Sequence, residues 1–313
     1  MNMKHPIVSV LVTALSAACG EVADPNKPAD APLQQDGPDA DVPIDAPPPR
    51  CDPSKPFGTP VAITELNATG ANDTAASLTP DELTITFGSN RSGGPGSVDA
   101  YIATRASTSD PWSAPSLING VNTSGVDGRP HLTADGLTIY LEYQVNVNGS
   151  YDIVSSTRAT TSAAFTAPSP VTPVNTTISD TAPYVLPDHS AMYLVNSRML
   201  HRAARTGTTW GPPVVVTGTN LQAGDFDYPV VTPDELTLYF GSTRGGQTYD
   251  IFVATRTSVV NGFDAPTRVA ELSGGTAETP GWISPDNCVI YFAREVGGGA
   301  VADYDLFRAV KPL

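Results

Sequence analysis

Five times along this sequence a Ser/Thr-x-Asp turn, or a close variant of it, leads into an alternating apolar run, and no other feature restricts the fold as tightly. The turns are Thr79-Pro80-Asp81, Thr133-Ala134-Asp135, Leu186-Pro187-Asp188, Thr232-Pro233-Asp234 and Ser284-Pro285-Asp286, with Asp-to-Asp spacings of 54, 53, 46 and 52 residues. Behind them run Leu83–Phe87, Leu137–Leu141, Ala191–Leu194, Leu236–Phe240 and Val289–Phe292. Pro presets a turn backbone and the Asp side chain bonds nearby amides, so each unit reads as strand, turn, strand.

A third strand follows in every unit: Asp99–Arg105, Asp152–Arg158, Met199–Arg205, Asp250–Arg256 and Asp305–Lys311. In four of the five an acid and a base stand six apart, on one face of a strand. Repetition in nearly every unit marks a scaffold device, expected to pair between units, rather than chemistry. A fourth element is aromatic-x-x-Pro before another short strand, at Trp112/Pro115, Phe165/Pro168, Trp210/Pro213 and Phe263/Pro266. The last unit has no room for one, yet a copy stands ahead of the first turn at Phe57/Pro60. The two ends complement each other. The expected fold is therefore all-β: a five-bladed β-propeller with four-stranded blades, its last blade closed by the N-terminal strand, so that no edge is left open. A sandwich does not explain the period, and an open array does not explain the permuted ends.

The recurring Thr-Pro-Asp-x-Leu-Thr-Ile-Tyr-Phe-x-Ser-x-Arg, then Asp-Ile-Phe-x-Ala-Thr-Arg, is seen best at Thr232–Arg244 and Asp250–Arg256. It resembles the TolB-type, WD-repeat-like propeller repeats of bacterial envelope proteins. The resemblance covers residues 57–313 and implies fold. It does not imply one function, because such repeats serve as protein-binding platforms and as enzyme scaffolds. The extra α/β domain of TolB itself has no counterpart here, so TolB's partners do not carry over.

Ahead of the repeats lie two other segments. Residues 1–18 read as a signal peptide: Lys4 and His5, then an apolar run from Ile7 to Ala18 too short to span a bilayer. Leu15-Ser16-Ala17-Ala18-Cys19 resembles a lipoprotein cleavage box, which would make Cys19 the lipidated residue and the lipid its only membrane attachment. Gly20 in place of Asp points to the outer membrane, on its periplasmic or cell-surface face. Residues 19–56 are rich in Pro and acid and lack aromatics until Phe57, so they read as a disordered tether. A formal charge of −15 argues against a nucleic-acid partner.

Catalytic motifs are scarce. His131, His189 and His201 fall at unmatched repeat positions and read as structural or exposed. Eight residues ahead of the turn Asp stand Asp73, Asp127, Asp180 and Glu278; in the fourth unit Phe226 takes the slot, with Asp227 beside it. In propellers of this kind the first strand lines the central channel, so these carboxylates could ring one mouth. The same pattern also suits acids that cap turns at strand entry. A ring would offer oxygens to a hard cation such as calcium, the one cofactor the sequence suggests. It could also offer the acid and base of a glycosidase. Cys51 and Cys288 both belong to the last unit and are expected to form a disulfide that locks the closing strand. The favoured function is a non-catalytic envelope module that binds a protein or glycan, and the alternative is a carbohydrate-active enzyme using those central carboxylates.

Overall fold

The computed structural model of the chain describes residues 48–144, 149–297 and 303–313; the expected leader, Cys19 and the expected tether up to residue 47 lie outside them. Pro49–Leu313 form one compact unit. It is all-β except for a 3-10 turn at Ala270–Leu272.

After β1 (Val61–Ala62), four strands pair in chain order as blade one: β2 (Asp73–Leu78), β3 (Thr84–Ser89), β4 (Asp99–Thr104) and β5 (Ser116–Leu117). Blade two is β6 (Val126–Leu132), β7 (Thr138–Gln144), β8 (Asp152–Thr157) and β9 (Ser169–Pro170). Blade three is β10 (Asp180–Val185), β11 (Ala191–Asn196) and β12 (Met199–Thr206), with β13 (Thr209–Trp210) and β14 (Val214–Val215) both paired to β12. Blade four is β15 (Phe226–Val231), β16 (Thr237–Ser242), β17 (Asp250–Thr255) and β18 (Thr267–Arg268). Blade five is β19 (Glu278–Ile283), β20 (Val289–Glu295) and β21 (Tyr304–Val310), with β1 antiparallel on β21, Val61 opposite Arg308 and Ala62 opposite Phe307. The expected five-bladed propeller, closed by its N-terminal strand, is the architecture observed.

The turn residues act as their chemistry dictates. Thr79 Oγ1 donates to Asp81 at 2.6 Å, and Asp81 accepts the Leu83 amide at 3.0 Å. Thr133/Asp135, Thr232/Asp234 and Ser284/Asp286 repeat this at 2.6 Å. The residue after the turn Asp takes positive φ in every blade: Glu82, Gly136, His189, Glu235 and Asn287.

The acid and base of the third strand are not partners of one another, which corrects the expected pairing. Asp99 turns back to the Gly96 amide at 3.1 Å, and Asp250 binds Arg268 at 2.8 Å. Each base instead lies over the aromatic of its own blade's aromatic-x-x-Pro: Arg105 on Trp112 at 4.3 Å, Arg158 on Phe165 at 4.5 Å, Arg205 on Trp210 at 5.3 Å and Arg256 on Phe263 at 4.4 Å. Two of these bases also reach a preceding blade, Arg105 to the Tyr291 hydroxyl at 3.3 Å and Arg256 to that of Tyr193 at 3.1 Å. In blade five the pair is assembled from the two chain ends, with Lys311 over Phe57 at 4.7 Å.

Closure has its own core. Cys51, Leu66, Leu78, Phe87, Trp282, Cys288 and Tyr291 are buried together where blade five meets blade one. The Cys51–Cys288 disulfide is present, with Cα atoms 5.7 Å apart. Arg50 adds ion pairs to Glu82 and Asp286. The last residues assigned to the tether, Pro49–Pro56, thus belong to the compact unit.

The first strands β2, β6, β10, β15 and β19 are innermost; each pairs on one side only and packs against its counterparts in adjacent blades. All five carry a bulge midway. In four blades the bulge residue takes positive φ: Ala75, Arg129, Ala182 and Tyr228. In blade five Pro280 stands there, and its ring holds φ negative. Gly281 follows, where a Cβ would fall 2.5 Å from the Ala76 carbonyl oxygen. A bulge re-aims side chains, so these positions decide what the channel presents.

Candidate functional site at the channel mouth

The acids singled out by spacing begin the innermost strands, and four are turned into their own turns. Asp73 accepts the Ala68 amide at 2.7 Å and Arg91 at 2.6 Å. Asp127 accepts the Thr123 amide at 2.6 Å, and Asp180 accepts the Thr176 amide at 2.6 Å and Asn196 at 2.7 Å. Glu278 accepts the Gly274 amide at 2.7 Å and Arg294 at 3.1 Å. All four are buried. Burial pushes the Asp127 and Glu278 carboxyls up from their ordinary values, and the amides they accept offset part of that. Among the described residues no three His, Cys, Asp or Glu side chains come together as a metal site. The expected ring is thus a set of separate turn caps. Asp227 alone turns elsewhere.

Strand register aligns the blades position by position. The residue after the acid slot, and its cross-strand partner, are Thr74/Gly88, Gly128/Glu142, Thr181/Val195, Asp227/Gly241 and Thr279/Ala293. The next position holds the bulge residues Ala75, Arg129, Ala182 and Tyr228 and, in blade five, Pro280, which stays paired with Phe292. Charge occurs at these three positions only in Glu142, Asp227 and Arg129. These departures from the repeat meet. Arg129 reaches from blade two to blade four and grips Asp227 through both Nη atoms, at 2.7 and 2.9 Å. Its Nε faces Glu142 Oε2 at 3.3 Å, and its guanidinium lies 4.1 Å from the Tyr228 ring centre. Alanines at the bulges of blades one and three, Ala75 and Ala182, leave room for that reach.

Together with Tyr151, Ser179, Thr181, Ser197, Arg198 and Tyr249, the trio lines a pocket of about 440 Å³. It lies at the end of the channel where the first strands begin. Burial alone would disfavour the charge on Arg129; the Asp227 and Glu142 carboxylates outweigh it and hold the pKa well above the usual arginine value. Burial pushes Glu142 up against the pull of Arg129, and pushes the Tyr228 phenol up to about 12. Arg198 is solvent-exposed and held by Asp225 at 3.0 Å.

Deeper in the channel, His131 is buried as a neutral ring. Its Nε2 donates to the Val185 carbonyl at 3.0 Å, Nδ1 accepts from Ser77 Oγ at 3.1 Å, and burial pushes the pKa down to about 4. His189 is a turn residue at positive φ, and His201 lies on β12. The opposite mouth is apolar, lined by Pro80, Pro187, Pro233, Pro285 and Trp282. The polar mouth is therefore asymmetric, and sequence reading missed Arg129 and Glu142. The signal that could have found them is the place where aligned repeats disagree.

Fold and site define a five-bladed β-propeller with one polar, asymmetric channel mouth. No family model matches the sequence, and no curated protein matches it. Solved structures do match. An α-L-arabinofuranosidase from Podospora anserina, in complex with cellotriose, is 13% identical with a TM-score of 0.56, over 84% of this chain and 98% of that one. An endo-arabinase from Bacteroides thetaiotaomicron is 10% identical with a TM-score of 0.52, over 82% and 97%. TolB from Acinetobacter baumannii is 14% identical with a TM-score of 0.48, over 77% of this chain and 55% of that one. At these identities the likeness is one of fold.

Proposed function

We propose that the protein is an exported, lipid-tethered propeller that binds a polar, sugar-sized ligand at the Arg129–Asp227–Glu142 mouth without transforming it. One observation carries this reading: the charged departures from an otherwise uniform repeat converge on one pocket. A scaffold requirement would recur in each blade, as the turn acids and the stacked bases do. The pocket has the size of a small-ligand site and mixes aromatic walls with a few placed polar groups. The Cys51–Cys288 disulfide supports export, because such bonds persist in oxidising compartments. Lipidation at Cys19 and an outer-membrane position rest on the leader sequence. Palmitate labelling that is lost in Cys19→Ser is the expected result.

A glycan array probed with the whole mature protein tests the binding. Hits should weaken at least about tenfold in both Asp227→Asn and Arg129→Ala, since bonds to charged groups contribute about 1.5–3 kcal/mol. Hits unchanged in two folded variants contradict the reading.

The alternative, a glycosidase, draws on two carboxylates at one mouth of the channel. Against it, both oxygens of Asp227 are held by Arg129, which leaves a poor base. Release of arabinose or xylose from arabinan or xylan, lost in Asp227→Asn, would favour the enzyme.

A further inference from the structure

We infer that the mouth pocket selects a protonated amine, carried on a sugar-sized ligand and received by Glu142; this rests on the pocket being a ligand site. Two carboxylates share one guanidinium. Asp227 takes both Nη atoms of Arg129, so only Nε is left for Glu142. Glu142 is 7% exposed, and its Oε2 has no hydrogen bond among the described residues. A buried carboxylate oxygen left in this state is costly, and a ligand donor relieves that cost.

The other charged group on the wall, Arg198, is balanced by Asp225, so the trio leaves the pocket with an excess of one negative charge. The titratable neighbours are phenols: Tyr151 and Tyr249 line the pocket, and Tyr228 is already covered by Arg129. Aromatic walls beside a carboxylate that faces Arg129 at 3.3 Å but lacks a hydrogen bond to its Oε2 suit an ammonium group, through ring quadrupole and ion pair together. An anionic ligand finds no free cation deep in the site, since Arg129 is fully engaged. Hydroxyls of Ser179, Thr181 and Ser197 complete a lining suited to a sugar ring rather than a bare side chain.

Amide chemical shifts of the whole mature protein, followed by NMR, test this with four probes at matched ionic strength: methylammonium, acetate, glucosamine and N-acetylglucosamine. Nα-acetyl-lysine amide serves as the peptide source of the same charge. Methylammonium and glucosamine should give saturable shifts at Tyr151, Thr181 and Tyr249. Glucosamine should bind at least about tenfold tighter than N-acetylglucosamine, and tighter than the lysine amide. Glu142→Gln should remove that preference, while Asp110→Asn, on an exposed loop outside the pocket lining, keeps it. If acetate or N-acetylglucosamine saturates the same amides equally well, the amine inference falls and the pocket remains a ligand site. If the lysine amide matches glucosamine, the sugar half falls. If no probe moves a pocket amide, both the inference and the reading beneath it fall.

Discussion

Arg129, Asp227 and Glu142 are a costly arrangement for the fold alone. Removing one partner of a buried ion pair typically costs about 3–5 kcal/mol, whereas replacing the whole set with apolar groups of similar volume is often neutral. Arg129→Ala alone is therefore expected to lower the melting temperature markedly. Arg129→Met with Asp227→Leu and Glu142→Leu should restore it, with ligand binding lost. Thermal melts of the two variants check this, and a triple variant less stable than Arg129→Ala would make the trio structural. His131 gives a second residue-scale prediction. Its pKa falls from 6.5 to about 4 on burial, so between those values the unfolded chain binds the proton and the native protein does not. Stability from this group is complete above pH 6.5 and is lost as pH falls toward 4, by about 3 kcal/mol. Glu142 and Glu278, raised by burial, contribute in the opposite direction, so the measurement is the difference between the parent and His131→Asn. Parallel stability curves for the two from pH 4 to 7 would refute the assignment. Little of this chemistry was legible in the sequence. Spacing finds what repeats share, and Asp73, Asp127, Asp180 and Glu278 recur because four of the five blades cap the same turn with an acid. Arg129 and Glu142 become visible only once strand register says which residues to compare.

At the scale of elements, the seam between blade five and β1 is the weak point of any ring made from an open chain. Only two residue pairs join β1 to β21, so the strand is held by what surrounds it. The disulfide closes a separation of 237 residues, for which chain entropy predicts about 5 kcal/mol, with engineered bonds often giving less. Cys288→Ser should lower the melting temperature and make 51–66 the first protease-sensitive segment. Cleavage that starts elsewhere, with an unchanged melt, would mean that Phe57, Lys311 and Arg50 suffice. This seam was legible in advance: the displaced aromatic-x-x-Pro at Phe57/Pro60 and the two cysteines of the last unit, Cys51 and Cys288, both point to it. The role of the third-strand base was legible only in part. Its recurrence marked it as scaffold, but strand spacing could not show that it stacks on Trp112 or Phe263 rather than joining Asp99 or Asp250.

For the whole molecule, the period of the repeat and its permuted ends decide the architecture, because only a closed ring uses an orphan strand at one end to complete a unit at the other. The edge of that unit falls earlier than composition alone suggests, since Arg50 and Cys51 pack while sitting in a Pro-rich stretch. A chain beginning at Pro49 is expected to melt at the temperature of one that keeps residues 19–48, and one beginning at Asn67 should not fold cooperatively. On the proposed function, this ring presents one ligand site, at its polar mouth. Amide shift mapping with the best array hit tests it most directly. Perturbed amides should cluster at Tyr151, Thr181, Ser197, Asp227 and Tyr249, and the cluster should vanish in Asp227→Asn. A cluster on the outer strands or at the proline-lined mouth, unaffected by that substitution, would contradict it.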